Sequence, residues 1–239
     1  MSAVNITLVL TVILLANVVE TMTGFAGTLL AMPFAMLLLG VDQARIVMNM
    51  VSIIVGAGIL VQNHRYVNVR KLARILAFML LGMVCGIWIY SYLSTKLLLK
   101  AYGVMIIGIA FKNLFLRNTG SDDKAASSVI LILAGVIHGM FVSGGALLVV
   151  YAARVLKDKH EFRATMASVW VVLNTIIAAQ QITTGLYAKE NVQLVMLSVI
   201  PIGIANYVGN RIYGKTSQEN FMKITYVLLF LSGASVLIG

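Results

Sequence analysis

Ten apolar segments follow one another along the chain, and the polar connections between them are short. Their approximate limits are 4–20, 25–40, 44–62, 72–92, 97–116, 128–142, 144–156, 164–183, 191–212 and 219–238. A helix needs about 20 mostly apolar residues to cross a bilayer, and most of the segments approach that length. The strands of a membrane barrel would alternate apolar and polar residues, and these segments do not. We therefore expect an all-α integral membrane protein.

The composition also favours a membrane protein, and it argues against several kinds of ligand and partner. Hydrophobic residues make up 60% of the 239 residues and charged residues only 11%, which leaves too little polar surface for a soluble domain. The net charge of +10 lies in short connections, without a basic domain or an aromatic platform, so we expect no nucleic-acid partner. The single cysteine, Cys85, lies in an apolar segment, so we expect no internal disulfide, no metal site and no cofactor.

The basic residues are divided unevenly between the two sets of alternating connections. With the amino terminus outside, fourteen lysines and arginines fall on the inner side, and four fall on the outer side: Arg45, Lys96, Lys100 and Lys189. Because Lys and Arg collect in short cytoplasmic loops, we expect a multi-pass protein of the cytoplasmic (inner) membrane with both termini outside. The first segment lacks the basic region and cleavage site of a signal peptide, so we expect a retained helix.

An internal repeat starts near residue 20. A shift of 118 positions superposes Glu20–Pro33 on His138–Tyr151 and gives nine identities in the 32 positions from Glu20 to Val51. The pairs Gly27/Gly145 and Arg45/Arg163 are among these identities. A second shift, of 123 positions, matches later residues, including Gly86 with Gly209 and Tyr90 with Tyr213. The sequence therefore predicts two structural repeats.

The polar linker 117–127 separates a first repeat, 1–116, from a second repeat, 128–239, and each contains five apolar segments. An odd number of segments predicts that the two repeats have opposite orientations in the membrane. The sixth and seventh segments reach only about 20–23 Å, less than the bilayer core of about 30 Å. With the first and second segments, they predict broken or re-entrant helices at the start of each repeat, as at the midplane site of a transporter. Whether each short pair spans twice or dips in and returns stays open.

The glycine-bearing breaks predict an anion site. A helix that restarts inside the membrane has unpaired backbone N–H groups and about half a positive charge at its first turn, which favours an anion. Glycine allows a ligand to approach these amides closely, and a nearby hydroxyl adds a donor. The candidate binding residues at the two breaks are Thr23, Gly24, Phe25, Gly27, Ser143, Gly144 and Gly145. The alternative is that these small residues only allow tight helix packing.

The same motifs carry a resemblance to a known family. Thr23-Gly24-Phe25-Ala26-Gly27, followed by Pro33, and the echo Ser143-Gly144-Gly145 resemble the sulfite exporter TauE/SafE family of membrane permeases. The resemblance implies two inverted repeats and transport of sulfur-containing or organic anions, including sulfite, sulfonates and sulfoacetate-like compounds. The chain differs from the family pattern in Ala26, in Arg45 and in the absence of proline at Tyr151.

Two matched arginines are candidates for gates, and two asparagines are candidates for the substrate path. Arg45 and Arg163 open the third segment of each repeat, so the predicted topology places them on opposite membrane faces. They act either as paired gates that attract the anion or as interfacial residues that snorkel to headgroups. Asn49 and Asn174 either line the substrate path or form hydrogen bonds between helices.

Glu20 and His138 occupy equivalent positions just before the two breaks. An ionisable residue inside a membrane segment is by default a functional candidate, and either residue can take up the proton of a coupled cycle. The alternative is a satisfied hydrogen bond at an interface. The identity of the coupling ion, proton or sodium, stays open.

Enzymatic and other functions fit the sequence less well. No nucleophile and base are evidently brought together near Ser143, which argues against an intramembrane protease. A cation carrier using Glu20, or a membrane subunit without transport activity, remains the alternative. We expect a secondary transporter that moves a small anion by alternating access. A monoanion leaving a negative-inside cell gains about 2.3 kcal/mol per 100 mV, which favours export over accumulation without a coupling ion.

Overall fold

The computed structural model describes residues 3–115, 124–215 and 217, and in these residues the chain is helical. The helices are α1 (Ala3–Thr23), α2 (Gly27–Leu39), α3 (Val41–Asn63), α4 (Val69–Tyr92), α5 (Thr95–Phe115), α6 (Lys124–Phe141), α7 (Gly145–Val155), α8 (Lys159–Thr183) and α9 (Lys189–Tyr213). A short 3-10 turn, His64–Tyr66, follows α3. The all-α prediction is confirmed for this part of the chain.

The nine helices match the first nine predicted segments. The tenth segment, 219–238, and most of the predicted linker lie outside the described residues. By length and apolar composition, α1, α3, α4, α8 and α9 are able to cross a membrane. The short helices α2 and α7 have 13 and 11 residues, as expected for broken elements. The predicted length of the sixth segment was too short, because α6 begins at Lys124 and has 18 residues.

The outer faces of α4 and α9 carry large apolar side chains that no other described residue covers. Exposed examples are Leu81, Val84, Trp88, Met196 and Ile200. Contiguous apolar surface of this kind is rare on soluble monomers, whereas lipid tails make it favourable on a membrane protein. These faces are the lipid-facing surface that the hydropathy of the sequence predicts.

Two of the helix starts are fixed by polar caps at one end of the bundle. The side chain of Asn68 accepts the backbone N–H of Lys71 at 3.0 Å, and Asp158 accepts that of Glu161 at 2.9 Å. Such caps satisfy amides at a helix start that have no partner within the helix. An ion pair of 2.9 Å between Lys71 Nζ and Glu161 joins the first turns of α4 and α8.

Among the helices long enough to cross a membrane, α3 and α8 are the most buried, and they run antiparallel. Asn49 Nδ2 donates to the carbonyl oxygen of Asn174 at 3.1 Å. Further along α3, a carbon added to Gly56 would lie 3.4 Å from the carbonyl oxygen of Ala167, nearer the start of α8. The starts of α3 and α8, where Arg45 and Arg163 lie, are therefore at opposite ends of the pair.

The predicted repeat also relates the packing of the helices in the two halves. α1 packs on α9, and α6 packs on α4. α3 also contacts α9, and α8 also contacts α4. Exchanging α1–α4 for α6–α9 converts each of these pairs into the other. An inverted repeat predicts such an exchange.

Two glycine contacts give this relation at the level of residues. A carbon added to Gly86 on α4 would overlap the carbonyl oxygen of Val136 on α6. A carbon added to Gly209 on α9 would lie 2.8 Å from the carbonyl oxygen of Val18 on α1. Gly209 lies 123 positions after Gly86, and Val136 lies 118 positions after Val18. The crossing of α4 with α6 and the crossing of α9 with α1 therefore use equivalent residues, because the 123 shift relates the glycines and the 118 shift relates the valines. This equivalence supports the predicted repeat.

Candidate functional site

The first break separates α1 from α2. α1 ends at Thr23, and the backbone N–H of Gly24 still donates to the carbonyl oxygen of Glu20 at 2.6 Å. Gly24 then adopts a φ of 80°, a left-handed conformation that glycine adopts without a steric penalty. A carbon added to it would lie 2.8 Å from the carbonyl oxygen of Arg163. Both the backbone turn and the close approach of α8 therefore require glycine here.

The second break separates α6 from α7 and has the same backbone form without the glycine. Val142 lies 118 positions after Gly24, and its φ is 54°. Its N–H donates to the carbonyl oxygen of His138 at 2.7 Å, as the N–H of Gly24 does to Glu20. A β-branched residue in this conformation is strained, and such strain is often found at functional sites. The two breaks therefore share a backbone conformation, which the sequence does not reveal because one residue is glycine and the other is valine.

The two breaks meet inside the protein. A carbon added to Gly145, the first residue of α7, would lie 3.0 Å from the carbonyl oxygen of Phe25. The indole N–H of Trp170 on α8 donates to the carbonyl oxygen of Gly24 at 2.8 Å. Phe25 is 2% exposed and Ser143 is 1% exposed. The first turns of α2 and α7 therefore lie close together in a buried centre, and a ligand reaches them only when helices move.

The two predicted hydroxyl donors have different surroundings. Thr23 Oγ1 donates to the carbonyl oxygen of Val19 at 2.8 Å, so its proton is used within α1. Ser143 Oγ instead accepts a hydrogen bond of 2.9 Å from the hydroxyl of Tyr102 on α5. A hydroxyl both donates and accepts, so Ser143 keeps hydrogen-bonding capacity beyond its bond to Tyr102.

The side chain of Glu20 lies beside the start of α2. It belongs to the last turn of α1, is 1% exposed, and its Oε1 accepts from the hydroxyl of Ser52 at 3.4 Å. A carbon added to Gly27, the first residue of α2, would overlap the Glu20 carboxyl group. No group of the described chain lies within hydrogen-bonding geometry of Oε2. The carboxyl group therefore occupies the helix end that the sequence assigned to a substrate.

His138 occupies the equivalent position in the second half with different chemistry. It is 1% exposed, and its ring lies 5.2 Å from the ring of Trp170. A carbon added to Gly144 would lie 2.9 Å from His138 Cβ. In the described ranges neither ring nitrogen has a hydrogen-bond partner. Trp170 itself lies 118 positions after Ser52, so each half places a matched α3 or α8 side chain beside its ionisable residue.

Arg45 is buried at the start of α3, with 7% of its surface exposed. Its Nη2 donates to the carbonyl oxygen of Gly139 on α6 at 2.8 Å. Its Cζ lies 3.5 Å from the centroid of the Tyr90 ring on α4, a cation–π contact. The hydroxyl of Tyr90 in turn donates to Asp42 Oδ1 at 2.5 Å. One arginine therefore joins α3, α4 and α6.

Arg163 has the corresponding arrangement at the start of α8 and is 3% exposed. Its Nη2 donates to Asn210 Oδ1 at 2.6 Å, and its Cζ lies 4.5 Å from the centroid of the Tyr213 ring. The hydroxyl of Tyr213 lies 3.5 Å from His160 Nδ1. The arginine therefore joins α8 to α9.

In the two arginine clusters the arginine, the tyrosine and the residue that contacts the tyrosine hydroxyl occupy equivalent positions, whereas the hydrogen-bond acceptors Gly139 and Asn210 do not. The 118 shift relates Asp42 to His160 and the two arginines to each other, and the 123 shift relates the two tyrosines. Both guanidinium groups contact helices and carbonyl or amide oxygens of the bundle. This burial favours the gate hypothesis over snorkelling to lipid headgroups.

The sequence model of the family described as sulfite exporter TauE/SafE matches residues 9–236. The chain belongs to the sulfite exporter TauE/SafE family. This member is therefore a multi-pass membrane transporter and not an enzyme.

A curated relative points to the same class of protein. The chain is 26% identical over 181 residues to a protein of Comamonas testosteroni named "Probable inner membrane transporter protein TsaS". The match covers 73% of this chain and 74% of the relative. No solved structure matches the chain.

The two predicted asparagines lie in the central helix pair of this TauE/SafE member. Besides its bond to Asn174, Asn49 Nδ2 lies 3.3 Å from Gln181 Oε1, so it joins α3 to α8 as the packing alternative proposes. The side-chain amide of Asn174 is buried beside the ring of His138 at the second break. Asn174 therefore remains a candidate for the substrate path.

Several residues of the candidate site escaped sequence reasoning. Tyr102, Trp170 and Ser52 contact Ser143, Gly24 and Glu20 across helix interfaces. Tyr90 and Tyr213 did carry a signal, because the 123 shift matches them. The shift alone did not indicate a role for these tyrosines, which is shown by the arginines that lie against their rings.

Proposed function

We propose that this TauE/SafE member exports a small sulfur-containing or organic anion, such as sulfite, a sulfonate or a sulfoacetate-like compound, as a secondary transporter. The observation that supports it is the meeting of two helix starts, α2 and α7, in the buried centre of the bundle. Two such ends supply roughly one positive charge in total, enough to offset a monoanion. The hydroxyl of Ser143 and the amide of Asn174 add buried polar side chains that could bind oxyanion oxygens.

The arrangement of the two arginine clusters supports a cycle of alternating access. Arg45 and Arg163 lie at opposite ends of the antiparallel pair α3 and α8, and each joins its helix to a neighbour. Breaking one cluster and keeping the other would open the buried centre to one side of the membrane. In the proposed cycle the guanidinium that is released attracts the anion towards the breaks.

The proposed direction is export from the cytoplasm. The family model is described as that of sulfite exporters, whereas the name of the relative gives no direction. In the proposed orientation both termini are outside, the repeats are 1–116 and 128–239, and the linker 117–127 is cytoplasmic. The inverted packing of α1 on α9 and of α6 on α4 supports the two repeats.

Efflux from liposomes tests this function. Liposomes that contain the purified protein are loaded with radiolabelled sulfite, methanesulfonate or sulfoacetate, and parallel samples with a labelled divalent cation. We expect protein-dependent efflux of at least one anion and none of the cation. Transport of the cation without any anion would instead support a cation carrier that uses Glu20.

A further inference from the structure

The start of α2 already holds an anionic group of the protein itself. The carboxyl group of Glu20 lies across Gly27, where the first amides of α2 point and where the helix dipole places its positive end. The side chain is 1% exposed, and its carboxyl group faces the backbone N–H groups of Thr28 and Gly27. A carboxyl group that faces a helix start occupies the position of a bound oxyanion.

The groups that surround this carboxyl are uncharged. From α3 it meets the hydroxyl of Ser52, and from α2 it meets the backbone of Gly27. α9 approaches the adjacent turn of α1 through Asn206, which is bonded to Thr21, and through Gly209. The ion pair observed among the described residues, Lys71 with Glu161, does not involve Glu20. A second negative charge at this end would therefore meet no cation that offsets the repulsion.

Four combinations of proton and substrate are conceivable at the α2 start, and electrostatics favours two of them. An ionised Glu20 without substrate satisfies the helix end, and a protonated Glu20 with a bound anion does so too. An ionised Glu20 beside a bound anion places two like charges in a medium of low dielectric constant. A protonated Glu20 without substrate leaves the helix end without its anion.

We infer, building on the anion transport proposed above, that a substrate anion takes its place at the α2 start only when Glu20 carries a proton. The carboxylate takes up one proton from water on the side where the anion enters. It returns that proton on the side where the anion leaves, and the ionised carboxylate then occupies the helix end again. The coupling ion is therefore the proton, and it moves in the same direction as the anion.

The composition of the site favours a proton over a metal cation. Hard metal cations require several oxygen ligands, and the oxygens found around Glu20 are its own two and the hydroxyl of Ser52. In 3–115, 124–215 and 217, no group of three His, Cys, Asp or Glu residues is arranged to hold a metal ion. A single carboxyl group, by contrast, is sufficient to bind one proton.

Coupling of this kind changes what drives export. A monoanion and a proton that move together carry no net charge, so the membrane potential neither drives nor opposes them. The outward concentration gradient of the anion then drives export, and an acid produced in the cytoplasm leaves with its own proton.

The variant Glu20→Gln tests the inference, because glutamine has the shape of the protonated acid and does not titrate. The probe is methanesulfonate, whose single negative charge does not change over the pH range of the assay. If sulfite or sulfoacetate is the anion that moves, it replaces methanesulfonate, and only the responses of wild type and Glu20→Gln to the pH gradient are compared, because these anions can carry two negative charges. Flux into liposomes is measured under an imposed pH gradient without potential, and under an imposed potential without pH gradient.

We expect the pH gradient to drive flux in the wild-type protein and the potential to have little effect. In Glu20→Gln the pattern should reverse, so that the potential drives flux and the pH gradient does not. Glu190→Gln, at an exposed glutamate in the first turn of α9, is the matched control and should keep the wild-type response to the pH gradient. The same response to both gradients in Glu20→Gln and wild type would refute the coupling, as would loss of the pH response in His138→Gln with its retention in Glu20→Gln.

Ser52→Ala decides the question if Glu20→Gln carries no flux. Removing the hydroxyl takes away a hydrogen bond to the ionised carboxylate, so Glu20 holds its proton more tightly. We expect the pH of half-maximal flux to move upward by about one unit. An unshifted pH dependence in Ser52→Ala would then overturn the inference. If the wild-type protein moves no anion under either gradient, it is the proposed function that fails.

Discussion

The guanidinium group of Arg163 lies against the ring of Tyr213, with Cζ 4.5 Å from the ring centroid. Arg45 repeats the contact with Tyr90 at 3.5 Å, at the other end of the α3 and α8 pair. The third members differ, because Asp42 contacts Tyr90 where His160 contacts Tyr213. The two arginine clusters therefore share a geometry but differ in their third residue, so they need not break under the same conditions.

The first prediction concerns these arginines. Arg45→Ala and Arg163→Ala should each lower anion flux about tenfold, which corresponds to about 1.4 kcal/mol of lost stabilisation along the transport path. The reason is that each variant removes the cation that draws the anion inward and also the stacking on its tyrosine. Initial rates measured against anion concentration in liposomes check this.

Lysine variants provide the matched controls for the arginine prediction. Arg45→Lys and Arg163→Lys keep the positive charge but lose the planar group that stacks on tyrosine. Partial recovery of the rate would assign the effect to charge. Wild-type rates in both alanine variants would instead leave the two arginines with a purely structural role, as links between helices.

Hydropathy and self-comparison of the sequence predicted the helices, the two breaks and the matched arginines. These features depend on local composition, and a shift of 118 positions is visible without a structure. Helix limits were less predictable. Lys124 and its neighbours look like part of a polar linker, yet α6 begins there, because flanking polar residues extend a membrane helix beyond its apolar core.

The contacts within the site could not be predicted from the sequence, because they depend on which helices pack against each other. Glu20 was predicted to lie before the break, but nothing in the sequence shows that its carboxyl group lies across Gly27. Thr23 was predicted to donate to a ligand, and its proton instead goes to Val19. The left-handed backbone of Val142 was hidden, because glycine is the usual signal for that conformation.

The second prediction concerns the pH dependence of stability. The backbone N–H groups of Glu161 and His160 donate to the Asp158 carboxylate, which lowers the pKa of Asp158 in the folded protein. A lowered pKa means that the stabilisation is present above the pKa of the unfolded chain and is lost as the pH falls through the folded value. Asp158→Ala should therefore lower the Tm at neutral pH, and the difference from wild type should shrink in acid.

Asp158→Asn is the control for this cap. Asparagine caps helices about as well as aspartate, but it does not titrate. Its Tm should remain close to that of wild type at neutral pH and should change less than the wild-type value on acidification. Thermal unfolding in detergent at neutral and acid pH measures both effects. Equal Tm values for Asp158→Ala and wild type at neutral pH would contradict the prediction.

The third prediction concerns the crossing of α1 and α9. Gly209→Ala should destabilise the protein by about 1–3 kcal/mol, because the new methyl group meets the carbonyl oxygen of Val18, which is backbone and moves little. Gly203→Ala on the same helix has no atom within 4 Å of the new carbon. It should leave stability unchanged or raise it by up to about 1 kcal/mol through helix propensity. Thermal unfolding of both variants in one detergent compares them, and equal losses would exclude a close helix crossing.

The last prediction separates backbone strain from close packing at the first break. Gly24 and Gly40 both have a φ of 80°, and Gly40 combines it with a ψ of 164°, so an alanine at either position is strained by about 1–3 kcal/mol. At Gly40 no atom lies within 4 Å of the added carbon, whereas at Gly24 it would lie 2.8 Å from the carbonyl oxygen of Arg163. Gly24→Ala should therefore lower the Tm more than Gly40→Ala does.

Transport should distinguish the two alanine variants more sharply than stability does. Gly24→Ala pushes the first break away from the start of α8, so anion flux should fall at least tenfold even where the protein remains folded. Gly40→Ala lies between α2 and α3, outside the breaks, and its flux per folded protein should stay within about twofold of wild type. Equal flux in the two variants would mean that the contact between Gly24 and Arg163 has no part in transport.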